Sequence, residues 1–451
     1  MQSLNFYSHT PEDVAVEISR RNPTVPAEAD VIVIGGGIVG LASAYFLAGR
    51  GLDVVVLEKD KIACQQSGRN WGFVRTQYRD PAELPLAMEA LLLWPSLAQE
   101  LGHATGWRRG GCLFLARDDS EGARFEKWYS DTRHMASNAR MLSGSEVAAM
   151  LPDLRAKVSG ALYTASDGQA EPLLATTAFA KAAESMGVRI LEDCGALEIE
   201  RTARAVSGVV TEHGLIRSKS VVCAAGASSH RLLRTVGLAL PQQTIRNTVA
   251  LTTPTRIVTE SCFCGLGIGL RQRADGSCVL AAESTSDIDL TLDTIRAAPF
   301  FVAGYLRNRS AFCLKLGRSF LDDVYGRISW RDAERAIEPR RPRARPNLRR
   351  VRKTVALFRE LFAGVEAVSI VKSWAGYIDV LPDALPVIDQ PTEIPGLVLA
   401  TGFSGHGFAL APAVGKVVAA LVAGQSAGIC LSPFRLDRFA RGTYGLPYAP
   451  L

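Results

Sequence analysis

Apolar positions fall into blocks of distinct period along this chain. The sharpest block comes first: Val31-Ile32-Val33-Ile34 runs without a polar residue into Gly35-Gly36-Gly37-Ile38-Val39-Gly40. An unbroken β-branched run predicts a strand buried on both faces, as in a parallel sheet. An apolar helical segment follows, and a second run, Val54-Val55-Val56-Leu57, ends at Glu58. Leu84, Met88, Leu91, Leu92, Leu97 and Leu101 then recur at helical spacing across 81–101. Trp107 to Ala116 reads as a hairpin edge and strand. Ser143, three residues before Glu146, predicts a capping box at a helix start. Asp167-Gly168 predicts a turn, and Pro172 a helix start running to about Met186.

Short strands are expected at 188–191 and 196–200, and a hairpin at 205–216 that turns at His213-Gly214. Ser220 to Ala227 is a second buried parallel strand ending in glycine. From 241 to 283 the pattern alternates as antiparallel strands do, with a turn at Asp275-Gly276. Residues 285–368 read as mostly helical, and short strands resume near Val365. Gly396 to Gly402 is a third buried, glycine-terminated strand, leading through Phe403-Ser404-Gly405-His406-Gly407-Phe408 into an apolar helix at 411–423. No tandem repeat is present.

The first block carries chemistry. Strand, glycine turn, helix, strand and acid, in that order, form a dinucleotide fingerprint. Gly35 permits the tight turn, Gly37 lets the backbone approach a pyrophosphate, and Gly40 lets helix and strand lie close. The helix start offers free N–H groups to phosphates, and Glu58 can accept hydrogen bonds from ribose hydroxyls. This leaves NAD or FAD. The glycine-terminated strands at 31–40, 220–226 and 396–402 can meet one ligand only side by side in one sheet, and the last lies about 360 residues after the first. Contact from both ends of the chain favours an extended FAD.

Composition narrows the picture without changing it. A chain of 451 residues suggests two domains, and 21% charged with 47% apolar residues is ordinary for a globular protein. A net charge of +6 does not imply nucleic acid. No apolar run suits a membrane span, and residues 1–29 read as an extension without a secretory segment. The nine cysteines are odd in number and mostly in apolar company, as expected of buried thiols in a reducing cytoplasm. Cys262-Phe263-Cys264 does not match common metal spacings, so no metal is expected. Arg340 to Lys353 is the one marked charge run; broken by prolines and free of aromatics, it reads as a solvated basic loop, with docking of a protein partner as the alternative.

These residues together resemble the superfamily of FAD-dependent D-amino-acid, glycine and sarcosine oxidases. The likeness covers about 30–425: the glycine turn with Glu58, Ser67-Gly68, Asp167-Gly168 with Pro172, Val222 to Ala227, Trp374-Ala375-Gly376, Pro382-Asp383, Pro386, and Gly402 to Phe408. The resemblance implies a two-domain α/β (α+β) fold. Its Rossmann-like, glutathione-reductase-like FAD domain would be assembled from 30–103, 153–238 and 374–440. A substrate domain with a large antiparallel sheet would take 104–152 and 239–373. For the cofactor it implies Gly35, Gly37, Ile38, Val39, Gly40, Glu58 and Lys59 at the adenosine end, and Ser67, Gly68, Arg69 and Asn70 at the pyrophosphate or flavin edge. It also implies the backbone of Leu197 at the adenine, Gly226 beside the ribityl or adenosine part, and Gly402, Phe403, Ser404, Gly405, His406, Gly407 and Phe408 around the ring. Backbone N–H groups at that helix start could stabilise negative charge on reduced flavin.

Departures from the family pattern matter equally. The carboxylate-binding lysine after the Gly-Phe-Ser-Gly-His-Gly-Phe motif is replaced by Ala409, and the arginine after Trp-x-Gly by Tyr377-Ile378-Asp379. No cysteine lies in 373–377 to link a flavin, which implies non-covalent FAD, and no lysine lies near Ala281 to activate oxygen. Arg75 stands at the position that binds the substrate carboxylate in sarcosine oxidases. The expected catalytic residues are therefore Arg75 for the carboxylate, Tyr377 for a hydrogen bond to substrate or flavin, and His406 at the flavin. The loop from Ser67 to Arg75 and the missing lysine look most like the FAD-bearing β-type subunits of bacterial opine oxidases and related amine or hydroxyproline dehydrogenases. That likeness implies electron-accepting partner subunits, with 340–353 as a docking surface, and a cytoplasmic enzyme, peripheral at the inner membrane if its partners are.

Overall fold

The computed structural model describes residues 24–135, 138–283, 285–329 and 344–448. The three glycine-terminated runs do lie side by side. A six-stranded sheet has the order Val387–Asp389, Leu397–Thr401, Ser220–Cys223, Val31–Ile34, Val54–Leu57, Arg189–Leu191. All neighbours are parallel except the first pair. Each central strand is buried on both faces, which is why its sequence is a continuous apolar run and not an alternation. Helices Ile38–Ala48, Leu84–Leu93, Pro172–Ser185 and Gly407–Val422 pack into one core with one face of this sheet. Trp94 donates its indole N–H to the Ala409 carbonyl at 2.8 Å, fixing the Leu84–Leu93 region against the Gly407–Val422 helix.

The second large sheet has ten strands, mostly antiparallel, and Gln243–Thr252 holds three partners in it. Two of its joins are parallel: Cys262–Gly265 with Cys112–Ala116, and Ser286–Asp289 with Phe312–Lys315. The capping box at Ser143 and Glu146 forms as the sequence indicates. Among the described residues no helix is long and apolar enough to cross a membrane.

Several expectations need correction. Arg108–Arg109 and Cys112–Ala116 form no hairpin with each other; Gly110-Gly111 carries the chain from one sheet to another, and Arg108–Arg109 pairs with Gly168–Gln169. That Gly168–Gln169 strand stands where only a turn was read. Residues 285–368 include the strands Ser286–Asp289 and Phe312–Lys315, too short and too polar to show a period. Near 365 the chain does not return to short strands: Ile370–Val380 has 11 residues and pairs with Gln243–Thr252 along its length. The apolar helix after the third run begins at Gly407, four residues earlier than its apolar run suggested.

Of the basic run, Arg340 to Arg343 lie outside the described residues, 344–347 are loop as expected, and 348–353 are helical. Leu348–Leu361 is a helix whose buried Val351, Val355 and Phe358 pack beneath the large sheet. Asn347 caps it, accepting from the Arg350 N–H at 3.2 Å, and Arg350 grips buried Asp287 with two bonds of 3.0 and 2.9 Å. The helix agrees with the mostly helical reading of 285–368; only its first six residues, four of them basic, depart from the loop expected at 340–353.

Candidate functional site

A cavity of about 2190 Å³ is walled by residues of both large sheets. That exceeds the roughly 300–1,000 Å³ of a pocket for one small ligand, so an extended cofactor and a second molecule both fit. Part of the wall is the glycine turn. Gly35 has φ +119°, and a Cβ there would lie 2.3 Å from the Ala224 carbonyl oxygen. A Cβ on Gly40 would lie 2.0 Å from the Gly35 oxygen, so the helix can close on the turn only without one.

Glu58 faces the same turn. Its carboxylate accepts the Gly36 N–H at 2.7 Å and the Asp60 N–H at 2.9 Å, and burial pushes its pKa above the usual carboxylate value. The remaining lone pairs are available to ribose hydroxyls. Ser67 Oγ accepts the Ile38 N–H at 2.9 Å, which brings the 64–70 loop onto the first turn of the helix. Lys59 donates to Ser228 Oγ at 3.0 Å. Gly37, Ile38, Val39, Lys59, Ser67 and Gly226 all line the cavity. Gly40, Gly68, Leu197 and Gly402 do not. Leu197 sits in a β-bulge between Ala196 and Glu198, and its neighbour Ala196 takes the wall position expected of it. A helix start, a buried acid beside it and a cavity of this size fit a dinucleotide.

Arg69 joins the loop to the large sheet. Its guanidinium donates to the Cys64 carbonyl at 2.7 Å and the Ala375 carbonyl at 3.0 Å, while Trp374 donates to the Arg69 carbonyl at 3.0 Å. Asn70 is occupied within its own loop, donating to the carbonyls of Gln66 and Ser67 and accepting the Gly72 N–H at 2.8 Å. The 403–408 segment lines the cavity throughout. Ser404 Oγ accepts the Leu381 N–H at 3.1 Å, and the Gly402 N–H is given to Asp379 at 3.0 Å. Asp379, to which the sequence assigned no role, is a buried acid in the cavity wall that also accepts from Gln242 at 3.0 Å. Burial pushes its pKa up to about 6.

The three expected catalytic residues all reach the cavity. Arg75 is half-buried. Its guanidinium donates to the Gln77 carbonyl and lies 5.2 Å from the Phe114 ring centroid. Asp167 fixes the next two residues, accepting from Thr76 N–H at 2.9 Å and Gln77 N–H at 3.1 Å. Tyr377 donates to Asp289 at 2.9 Å, and burial beside that carboxylate raises the phenol to about 12. His406 Nδ1 meets buried Glu83 at 3.1 Å. Burial, then the charge of Arg79, lowers the imidazole to about 4. Nothing in the spacing of Glu83 and His406, 323 residues apart, could have joined them. Among the described residues no three His, Cys, Asp or Glu side chains converge as a metal ion requires.

Comparison with known proteins agrees with this geometry. The family model for FAD dependent oxidoreductases matches residues 30–421. The beta subunit of a sarcosine oxidase from Rhizobium meliloti (strain 1021) is 28% identical over 94% of this chain and 91% of its own length. One subunit of an opine oxidase from Rhizobium meliloti is 23% identical over 91% of this chain and 98% of its own. Among solved structures, an L-amino acid deaminase from Proteus myxofaciens in complex with anthranilate superposes with a TM-score of 0.87 at 27% identity, covering 94% of this chain and 96% of that one.

Proposed function

This chain belongs to the family of FAD-dependent oxidoreductases, and from that premise we propose that it oxidises the C–N bond of a secondary amine or amino acid carrying a carboxylate, with an opine-type substrate favoured. FAD, which Glu58, the glycine turn and the 403–408 segment would hold without a covalent link, would supply the redox chemistry as acceptor of the hydride from the substrate Cα. The imine product hydrolyses to an oxo acid and an amine. Everything else falls to the protein: it must hold the Cα–H against the ring, orient the carboxylate and exclude water.

Arg75 is the observation that carries this reading. Its charge sits in the cavity wall, yet among the described residues it pairs with no carboxylate. Other buried arginines do pair: Arg79 with Glu83, Arg246 with Asp289, Arg271 with Glu171. An always-charged fork left without a counter-ion is matched to a substrate carboxylate. Tyr377 and Asp289 line the same cavity, and Glu58 with the glycine turn would hold the adenosine part.

The names of the two bacterial relatives, each one subunit of an oxidase, support a role as the FAD subunit of a larger complex. Arg349, Arg352 and Lys353, exposed on the Leu348–Leu361 helix, offer a surface for such a partner. The likeness to an L-amino acid deaminase favours a second reading, direct oxidation of an L-amino acid without partner subunits. One experiment separates them: anaerobic mixing of the FAD-loaded enzyme with opines, sarcosine, hydroxyproline, D-amino acids and L-amino acids. The compound that bleaches absorbance near 450 nm names the class, and bleaching by none of them overturns both readings.

A further inference from the structure

We infer that Glu83 is a positioning residue that holds His406 as the neutral Nδ1–H tautomer, so that its Nε2 lone pair accepts a hydrogen bond from the substrate amine while Arg75 takes the carboxylate of the same α-amino acid unit. The inference rests on the amine-oxidising reading given above and specifies which substrate atoms that site reads.

The geometry fixes the tautomer. Glu83 is fully buried, and its carboxylate lies 3.1 Å from His406 Nδ1. Arg79, also buried, stands 3.5 Å from the same carboxylate and keeps it ionised. An ionised carboxylate only accepts, so the imidazole nitrogen facing it carries the proton and Nε2 is left as an acceptor. Glu83 closes off the Nδ1 edge, while His406 remains 20% exposed and lines the cavity. Nε2 therefore belongs to the cavity side.

The charges keep the ring neutral. The cations facing it are Arg79 and Arg75, and the one anion in contact with it is Glu83. A protonated imidazole would add a third cation beside Arg79 and Arg75 in a buried cluster whose carboxylates are Glu83, the one in contact with the ring, and Asp167. His406 is thus an acceptor through the working pH range and not a proton carrier. It also belongs to the same cluster as Arg75: the Arg79 side chain donates to the Arg75 carbonyl at 3.2 Å, and the Arg75 charge acts on both His406 and Glu83. A carboxylate and an amine nitrogen one carbon apart match a cation and an acceptor held together in this way. Neither group alone selects an amino acid over a simple carboxylic acid.

The test uses the full-length, FAD-loaded enzyme. Nitrogen-15 NMR of histidine-labelled wild type, with His406→Asn to assign the resonance, should show His406 as the neutral Nδ1–H form from about pH 6 to pH 8, and Glu83→Gln should lose that single tautomer. Matched probes then read function through their perturbation of the flavin spectrum under anaerobic conditions: sarcosine against methoxyacetate, and L-proline against tetrahydrofuran-2-carboxylate, each pair differing by N–H for O. Glu83→Gln should weaken the amine of a pair about tenfold and leave the ether within twofold. A wild-type His406 that is charged or Nε2–H overturns the inference, even where Glu83→Gln does not fold. So does equal weakening of both members of a pair, the mark of a merely structural role. If no probe binds wild type, the substrate reading falls, and the tautomer spectrum still decides this one.

Discussion

Tyr377 and Arg246 are direct cross-strand partners, and both are committed to the same carboxylate, Asp289. Arg246 grips it with two bonds of 2.8 and 3.0 Å and Tyr377 adds a third at 2.9 Å. An arginine expected just after Trp-x-Gly is thus missing from the strand but present on its neighbour, already neutralised by an acid. Removing that acid should be costly. In Asp289→Ala a mostly buried guanidinium loses its two-bond partner and keeps only Asp287 at 3.6 Å, a carboxylate already gripped by Arg350, and about 2–3 kcal/mol of stability should go with it. Tyr377→Phe removes one hydrogen bond and should cost about 1 kcal/mol. Thermal unfolding of the FAD-loaded proteins orders the two. Equal losses would mean that Asp287 alone satisfies Arg246 and that the triad is not what closes this wall.

Arg75 carries the opposite expectation, because among the described residues no carboxylate pairs with its guanidinium, which contacts the Gln77 carbonyl and the Phe114 ring. Arg75→Met should lose about 1.5–3 kcal/mol of substrate binding, a rise in KM of roughly 10- to 100-fold. Arg75→Lys should fall between, keeping charge but not the fork. FAD content should not change in either variant, because on this reading Glu58 and the glycine turn, and not Arg75, would hold the adenosine part. Steady-state kinetics with a flavin-content assay checks this, and a KM that stays put in Arg75→Met removes the residue from the substrate site.

Flavin attachment is tested more simply. The strand Ile370–Val380 reads Ser373-Trp374-Ala375-Gly376-Tyr377 where a linking cysteine would be expected, and offers no thiol there. Cys64, in the loop before Ser67, is pushed up to about 12 by burial, so it holds its proton and is a poor nucleophile. Acid precipitation should therefore release all of the yellow colour into the supernatant. Colour retained in the washed pellet would show a covalent link.

What the sequence disclosed, and what it hid, follows from range. The fingerprint was legible because strand, turn and helix each leave a local period, and the three buried runs at 31–34, 220–223 and 397–401 had to be neighbours to share one ligand. Local capping at Ser143 was equally plain. A bulge leaves no such mark, so Leu197 was read where Ala196 stands. The body of the Leu348–Leu361 helix fits the mostly helical reading of 285–368, but its start was hidden by four basic residues in its first six, of which Arg350 is turned inward to Asp287. His406 drew notice from its glycine neighbours, but its partner Glu83 is brought to it only by the packing of two helices far apart in the chain.

Asp379 gives a pH dependence of definite sign. Burial raises it from an ordinary 3.8 to about 6, so between those values the folded protein holds a proton that the unfolded chain has released. Stability conferred by that proton is full below about pH 4 and falls as pH rises through about 6, leaving a buried charge at neutral pH. Asp379→Asn removes the penalty and keeps the acceptor, since one oxygen of Asp379 receives both the Gln242 and the Gly402 N–H. The FAD-free variant should therefore be more stable than wild type at pH 7.5, by on the order of 2 kcal/mol, and the difference should vanish near pH 4. Comparing the two proteins at each pH cancels every other titrating group. Melting temperatures measured between pH 4 and 8 check it. A difference that is flat with pH would mean that Asp379 stays ionised throughout, held by its hydrogen bonds. A variant less stable than wild type at pH 7.5 would mean that those bonds to the ionised carboxylate outweigh the cost of burying it.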